Sequence, residues 1–249
     1  MQNFGMSGLS VLVTGASGDI GSVISAQLEE LGCRVARADV VPASDQGTKS
    51  YYALDIRDND SCAKVVEEVN GDHGGLDVLI NCAGIRVAGR AHEVAGSDWA
   101  DTLDVNVTGT FRMCQAAHKY LVNSKNAAIV NFGSTAGEIP IPGSVSYAVS
   151  KAAISHMTPL LAFEWAHEGI RVNAVAPTIV ITKLNAAVRA IPGYLERKLG
   201  EIPLHKAATI ADVAWGVIFL ASPISGMVTG QVLNIDGGCV SARILLDPA

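Results

Sequence analysis

The sequence predicts an α/β protein with one doubly wound domain built on a seven-stranded, mostly parallel sheet. Seven short apolar runs, typical of buried strands, alternate with segments whose apolar residues recur at helical spacing. A turn with three glycines joins the first strand to the first helix. Neither a linker nor a low-complexity tract interrupts the 249 residues, so a single domain, 1–249, accounts for the chain.

The first strand and the first helix meet at Gly15, Gly18 and Gly21. An apolar run that starts at Leu9 ends at Thr14, and helical spacing resumes after the last glycine. This order of strand, glycine turn and helix directs backbone N–H groups and a positive helix end toward a pyrophosphate. The turn predicts a nucleotide-binding loop. The alternative is an ordinary strand-to-helix turn that needs a positive φ.

The later elements follow from the same two patterns. The predicted strands after the first cover residues 34–38, 51–54, 76–80, 127–132, 170–176 and 231–235. The predicted helices include residues 20–28, 62–69, 97–121, 146–167, 184–190, 193–200 and 209–221. Thr209 and Asp212 form a predicted capping box for the last helix.

Composition and charge narrow the class of protein. The net charge of −6 lacks a compensating basic stripe, which argues against a nucleic-acid or anionic-membrane partner. No apolar run approaches the roughly 18 residues of a membrane span, and the N-terminus lacks the basic start of a signal peptide. The five cysteines form no C-x-x-C pair, and the six histidines show no ligand spacing. We therefore expect a cytoplasmic protein with reduced thiols and no metal site.

The second predicted strand delivers an acid that bears on the choice of cofactor. Asp39 lies 18 positions after Gly21, where a carboxylate accepts hydrogen bonds from the adenosine ribose of a dinucleotide. The same carboxylate repels a 2′-phosphate, and Val40 offers that phosphate no cation. Arg37 complicates this prediction because it shares a strand face with Asp39. The sequence favours NAD over NADP.

A tyrosine and a lysine four residues apart are candidates for proton transfer. Tyr147 and Lys151 open a predicted helix, where this spacing places both side chains on one face. A nearby cation or an oxidised nicotinamide ring lowers the pKa of a phenol, which is otherwise about 10. Ser134 follows a strand and can donate to a substrate oxygen, and Asn106 can hold a water or a carbonyl near Lys151. The alternatives are a surface Tyr–Lys pair, a turn serine and an exposed asparagine.

The sequence resembles the short-chain dehydrogenase/reductase family over nearly its whole length. The matching residues are Thr14, Gly15, Gly21, Asp55, Asn81, Ala83, Gly84, Asn106, Ser134, Tyr147, Lys151, Asn173, Pro177 and Thr182. The resemblance implies a Rossmann-type fold and a catalytic tetrad of Asn106, Ser134, Tyr147 and Lys151. In that tetrad Tyr147 is the acid/base and Ser134 orients the substrate oxygen. Lys151 binds the nicotinamide ribose and lowers the Tyr147 pKa, while Asn106 anchors a proton-relay water.

The resemblance also implies a cofactor site and an assembly. The residues expected to bind the cofactor are Gly15, Gly18, Asp19, Ile20, Gly21, Asp39, Asp55, Ile56, Asn81, Ala83, Gly84, Tyr147, Lys151, Pro177 and Thr182. Similar proteins pair their two long helices about two-fold axes. The predicted helices 97–121 and 146–167, with the apolar residues 244–246, therefore indicate a homotetramer or homodimer.

Three residues depart from the family pattern. Asp19 stands where glycine is usual, because the glycine of this turn is shifted to Gly18. A carboxylate suits a helix N-terminus but opposes the charge of a pyrophosphate, so Asp19 bears on cofactor affinity. Cys82 stands where a second asparagine is frequent, and Thr178 replaces the glycine that usually follows the proline.

The longest insertion, residues 178–206, lies where the family keeps its substrate lid. Five basic and two acidic residues give this segment a net charge of +3, and Arg86 and Arg90 lie in the loop after the fourth strand. A positive field over a cleft favours an anionic or polyhydroxylated substrate. The alternative is that these charges are solvated faces of short helices.

Together these features predict an NAD(H)-dependent oxidoreductase that transfers a hydride between nicotinamide and a secondary alcohol or ketone. A sugar, a polyol or a hydroxy acid is the candidate small-molecule substrate. One alternative is an NADPH-dependent ketoreductase of acyl thioesters or other carbonyls. The other is a catalytically idle nucleotide-binding subunit or sensor on the same fold.

Overall fold

A computed structural model of the chain, which describes residues 4–40 and 51–241, contains one seven-stranded sheet between two layers of helices. The strands are Ser10–Thr14 (β1), Arg34–Asp39 (β2), Tyr51–Ala53 (β3), Val78–Asn81 (β4), Ala128–Phe132 (β5), Arg171–Pro177 (β6) and Val232–Ile235 (β7). Their order in the sheet is β3-β2-β1-β4-β5-β6-β7, and each neighbouring pair is parallel. The predicted doubly wound α/β fold is confirmed.

The helices of the described residues alternate with these strands. The α-helices are Asp19–Glu30 (α1), Asn59–His73 (α2), Gly96–Leu103 (α3), Thr110–Leu121 (α4), Val145–Trp165 (α5), Ala186–Arg189 (α6), Tyr194–Gly200 (α7) and Ile210–Ala221 (α8). Short 3₁₀ turns cover Thr135–Gly137, Ala166–Glu168, Lys183–Asn185 and Pro223–Ser225. None of these helices is both long enough and apolar enough to cross a membrane.

The single helix predicted over 97–121 is instead α3 and α4 joined by a π-helical turn, Asp104–Gly109. The wider turn brings the backbone of Gly109 against Ile56, because a Cβ atom there would lie 2.7 Å from Ile56 Cγ1 and 3.0 Å from its carbonyl oxygen. It also carries the buried side chain of Asn106. A π turn changes the helical repeat by about one residue over a single turn, a change too local for the spacing of apolar residues to reveal, although π turns recur at functional sites.

Alternate residues of β1 face the two helical layers. Val11 and Val13 pack against a cluster that includes Ile24 of α1 and residues of α8. Leu12 faces the opposite side, where it joins a cluster that includes Met113 of α4 and residues of α2. All five side chains are fully buried. Burial on both faces explains why the predicted strands are nearly continuous apolar runs.

Parallel strands bring their carboxyl ends to the same edge of the sheet. Thr14, Asp39, Asn81, Phe132 and Pro177 end β1, β2, β4, β5 and β6. The strand order reverses between β1 and β4, so the chain leaves these two strands toward opposite faces. A crevice at such a reversal is where open α/β sheets bind their ligands.

Candidate active site

A cavity of about 680 Å³ opens at the carboxyl edge of the sheet. The glycine turn after β1, the ends of β2, β5 and β6, the loop after β4, the first turns of α5 and part of the segment 178–206 line it. This volume suits a small-molecule or cofactor site. Of the residues predicted as catalytic or cofactor-binding, two do not line the cavity: Asn81 and Asn106.

Close backbone contacts shape the glycine turn. Gly15 has a φ of +65°, and a Cβ atom there would lie 2.8 Å from the backbone N and Cα of Ala83. A Cβ atom at Gly21 would lie 2.3 Å from the carbonyl oxygen of Gly15. Because Gly15 and Gly21 have no Cβ atom, Gly18 and the first turn of α1 lie against the cavity. The backbone N–H groups of this turn can hold a pyrophosphate there.

Asp19, in the first turn of α1, is bonded to the segment that follows β6. Its Oδ2 accepts a hydrogen bond of 2.6 Å from the backbone N–H of Lys183. Its Oδ1 lies 3.8 Å from Lys183 Nζ. The carboxylate that departs from the family pattern therefore joins the segment 178–206 to the glycine turn across 164 positions of sequence.

The end of β2 presents Asp39, and not Arg37, to the cavity. Asp39 Oδ2 accepts a hydrogen bond of 3.0 Å from the backbone N–H of Ser17 in the glycine turn. Arg37 makes two hydrogen bonds, of 2.5 and 2.8 Å, with the carboxylate of Glu29 on α1. The ion pair with Glu29 holds the Arg37 guanidinium against α1, and Arg37 does not line the cavity.

Asp55 and Ile56 follow β3 and line the same end of the cavity. The Asp55 carboxylate accepts hydrogen bonds from Arg57, including one of 2.7 Å from Nη2. This partner holds the pKa of Asp55 below its usual range, despite partial burial. Arg57 is itself exposed at the cavity edge, and its charge is balanced by Asp55.

Asn81 lies inside the sheet rather than in the cavity. Its Nδ2 donates to Asn131 Oδ1 at 2.9 Å and lies 3.3 Å from Cys114 Sγ. The side chain thus joins β4 to β5 beneath the site, and the cofactor contact of Asn81 stays a prediction. The neighbouring Ala83 and Gly84 do face the cavity.

Ser134, Tyr147 and Lys151 meet at the end of β5. Lys151 is buried, and its Nζ donates to the carbonyl oxygen of Phe132 at 2.7 Å. The same Nζ lies 5.6 Å from the centre of the Tyr147 ring. Ser134 Oγ accepts from the backbone N–H of Ala136 at 3.2 Å, lies 3.5 Å from the Pro177 carbonyl oxygen and is hydrogen-bonded to Tyr147. Its hydroxyl lines the cavity beside the phenol, where it can donate to a substrate oxygen that both side chains contact.

Asn106 reaches the backbone after β4. Its Oδ1 accepts from the Ile85 N–H at 2.8 Å, and its Nδ2 donates to the Ile85 carbonyl at 2.9 Å and to Ser150 Oγ at 3.0 Å. The buried amide thereby fixes the loop after β4 against α5. It lies near the Lys151 ammonium, because a Cβ atom at Gly84 would be 3.3 Å from Asn106 Oδ1 and 3.7 Å from Lys151 Nζ.

Burial raises the pKa of Tyr147 and lowers the pKa of Lys151, because it disfavours the charged form of each side chain. Desolvation raises the pKa of Tyr147, while its hydrogen bond with Ser134 and the charge of Arg86 act to lower it. Desolvation lowers the pKa of Lys151 to about 8. The lysine is therefore mostly charged at neutral pH, where it can favour a phenolate.

The sequence does not predict the contact between Arg86 and Ser144. Arg86 follows β4, and its Nη2 donates to Ser144 Oγ at 2.8 Å. Ser144 is buried at the N-cap position of α5, three residues before Tyr147. A serine at a helix start is a recognisable capping signal, but nothing local connects it to an arginine 58 positions away.

Two basic residues of the segment 178–206 have close side-chain partners. Lys198 Nζ lies 2.6 Å from Glu201 Oε2, and Arg189 donates to Asn185 Oδ1 and to the Thr182 carbonyl. The partners of Arg189 are neutral, and Glu201 is already counted in the net charge of +3, so the positive field of this segment stays a prediction.

The buried ammonium predicts a specific pH dependence of stability. The unfolded chain keeps the Lys151 proton up to a pH of about 10.5, whereas the folded chain releases it above a pH of about 8. Between these values the unfolded chain binds more protons, so this group makes the unfolding free energy rise with pH. Lys151→Met removes the effect. Urea denaturation should therefore show the wild type gaining stability relative to the variant over this range.

Lys125→Met, at an exposed lysine, is the matched control, and its difference from the wild type should stay constant with pH. A constant difference for Lys151→Met as well would contradict the burial of a charged group.

Comparison with known proteins places the chain in a family. A family model described as enoyl-(acyl carrier protein) reductase matches residues 15–240. D-threitol dehydrogenase of Mycolicibacterium smegmatis is 34% identical over 247 residues, with 95% of this chain and 94% of that protein covered. The 3-oxoacyl-(acyl-carrier-protein) reductase of Thermotoga maritima is 35% identical over 246 residues, with 94% and 99% covered.

A solved structure shows the same fold. It is a gluconate 5-dehydrogenase from Burkholderia cenocepacia in complex with NADP and tartrate, with a TM-score of 0.90 and 26% identity. The alignment covers 97% of this chain and 98% of that one. The chain belongs to the short-chain dehydrogenase/reductase family, and it is an oxidoreductase that acts on CH–OH and carbonyl groups.

Proposed function

We propose that the chain is an NAD(H)-dependent dehydrogenase that interconverts a secondary alcohol and a ketone, with an oxygen-rich small molecule as its substrate. The observation that carries the proposal is the meeting of Ser134, Tyr147 and Lys151 in a cavity that begins at a glycine turn. Relatives that act on polyols support the substrate class, since D-threitol dehydrogenase is among them.

The lining of the cavity fits a dinucleotide. The absence of a Cβ atom at Gly15 lets the glycine turn pass Ala83, and the first turn of α1 then faces the cavity. In the proposal these N–H groups hold the pyrophosphate, Asp39 holds the adenosine ribose, and Lys151 holds the nicotinamide ribose. Pro177 and Thr182 line the side formed by the lid segment, 178–206. When bound, NAD supplies the hydride acceptor at C4 of its nicotinamide ring.

The protein's own groups handle the proton. In the oxidation direction Tyr147 Oη takes the hydroxyl proton of the alcohol, and in reduction it returns a proton to the carbonyl oxygen. Ser134 Oγ donates a hydrogen bond to the same oxygen and fixes its position. The charge of Lys151 stabilises the phenolate, whose formation burial opposes. Asn106 acts indirectly, by holding the loop after β4.

The preference for NAD rests on the end of β2. The cavity is lined there by Asp39, Ser17 and Val40, while Arg37 is paired with Glu29. A carboxylate beside the adenosine ribose accepts hydrogen bonds from its hydroxyls and repels a 2′-phosphate. Family membership does not decide the cofactor, because the similar gluconate 5-dehydrogenase was solved with NADP.

Exposed apolar side chains support an assembly in closed symmetry. Phe163 of α5 is 88% exposed, and Leu160 and Val149 of the same helix are also exposed. Phe111 of α4 adds to this apolar surface. We include a homodimer or homotetramer in the proposal, together with a cytoplasmic location. A monomer by light scattering would contradict the assembly. The predicted contribution of residues 244–246 lies outside the described residues.

Cofactor titration tests the NAD preference. We expect NADH to bind at least about tenfold more tightly than NADPH, a difference of about 1.4 kcal/mol. Asp39→Ala should narrow that ratio, because it removes both the ribose acceptor and the repulsion. Arg37→Ala is the matched control and should leave the ratio unchanged, since Arg37 is paired with Glu29. A selective loss of NADPH binding in Arg37→Ala would mean that Arg37 reads the 2′-phosphate.

Removal of one hydroxyl tests the proton transfer. Tyr147→Phe should lower kcat by a factor of roughly 10² or more while NADH still binds, because only the transferable proton is lost. Tyr120→Phe removes a hydroxyl from α4, outside the cavity, and should keep the wild-type rate. A Tyr147→Phe enzyme that retains most of its activity would assign the acid/base role elsewhere.

A further inference from the structure

Arg86 is a cation that the mechanism above does not use. It follows β4, is half-buried and lines the cavity. Its guanidinium carbon lies 5.7 Å from the centre of the Tyr147 ring. Its Nη2 is held by Ser144 Oγ at 2.8 Å. The arginine is thus fixed beside the side chain that exchanges the proton.

No carboxylate of the described residues forms an ion pair with Arg86. By contrast, Arg37, Arg57 and Arg112 each pair with a carboxylate. The Nε of Arg86 is buried and has no hydrogen-bond partner in the same parts of the chain. A guanidinium is always charged, and burying one of its N–H groups without a partner costs free energy. The charge of the guanidinium also lacks a carboxylate partner among the described residues, and an anion bound in the cavity would supply one.

The other cations near the cavity do not fill this role. Lys198 is paired with Glu201, and the Lys183 side chain is 94% exposed. Arg90 is exposed and does not line the cavity. Lys151 also lines the cavity, but it donates to the Phe132 carbonyl and is assigned to the nicotinamide ribose. Arg86 is therefore the cation best placed to meet a substrate at the reacting end of the cavity.

We propose that Arg86 binds the carboxylate of a hydroxy-acid substrate and so selects an acid over the neutral polyol of the same carbon skeleton. The planar guanidinium matches a carboxylate in geometry and charge. Its position beside Tyr147 lets a short chain place its carboxylate on Arg86 and its carbinol group on Ser134 and Tyr147. This inference rests on the proposed dehydrogenase function and names the class of its substrate.

Matched acid and polyol pairs test the assignment. We expect the wild type with NAD to oxidise threonate and gluconate with a kcat/KM at least about tenfold above that for threitol and glucitol. Arg86→Gln should abolish this preference chiefly through the acids, whereas Arg86→Lys should restore part of it. Arg90→Gln is the matched control and should behave like the wild type. The preference should also shrink as salt is raised.

A binding measurement separates the inference from the proposed function. Calorimetric titration of the NADH-bound enzyme with tartrate should show binding to the wild type and to Arg90→Gln, but not to Arg86→Gln. Absence of turnover with every substrate would refute the proposed function, while tartrate binding would still decide the role of Arg86. An equal loss of kcat/KM for acids and polyols in Arg86→Gln would mean that Arg86 only supports Ser144 and Tyr147, and would overturn the inference. A wild-type enzyme that prefers the polyols, or that does not bind tartrate, would also overturn it.

Discussion

The buried ammonium of Lys151 is the interaction on which the geometry of the site depends. Its bond to the Phe132 carbonyl joins α5 to the end of β5, two residues before Ser134. Because α5 is held there, Tyr147 lies one helical turn away on the same face. Desolvating an ammonium is costly, and the lowered pKa of Lys151 reflects that cost. In the proposed site this charge stabilises the Tyr147 phenolate and binds the nicotinamide ribose.

The parallel sheet supplies the second constraint. The seven parallel strands of the described residues end at one edge, and the contact between Gly15 and Ala83 sets how closely the ends of β1 and β4 approach each other. The glycine turn and the loop after β4 then lie on either side of the reversal in strand order. Asn106 fixes that loop through Ile85. The nucleotide end and the reacting end of the proposed site are thus parts of one framework.

Local sequence patterns predicted the strands, the glycine turn and the Tyr147–Lys151 pair, because each depends on residues that are near one another in the chain. The π-helical turn that carries Asn106 was not predicted, since it changes the helical repeat only over one turn. Asn81 was assigned to the cofactor because it lies in the family motif, yet its amide bonds to Asn131 inside the sheet. Only the registered pairing of β4 with β5 brings these two residues together.

The partners of the charged side chains were the least predictable feature. Arg37 shares a strand face with Asp39, and only the packing of α1 on β2 reveals that Glu29 binds it. The bond from Asp19 to the Lys183 backbone and the contact of Arg86 with Ser144 join distant parts of the chain. A count of charges in the segment 178–206 does not show which of them have partners, whereas the geometry identifies Arg86 beside Tyr147 without a carboxylate partner among the described residues.

The most direct measurement follows the hydrogen that is transferred. The enzyme should be incubated with NAD and a secondary alcohol, drawn from the polyols and hydroxy acids above, that carries deuterium on its carbinol carbon. Mass spectrometry of the reduced cofactor should then find one deuterium at C4 of the nicotinamide for each ketone formed, with a slower rate than for the unlabelled alcohol. Ketone formed without deuterium in the cofactor, or tight binding of NAD with no turnover of any alcohol, would contradict hydride transfer at this site.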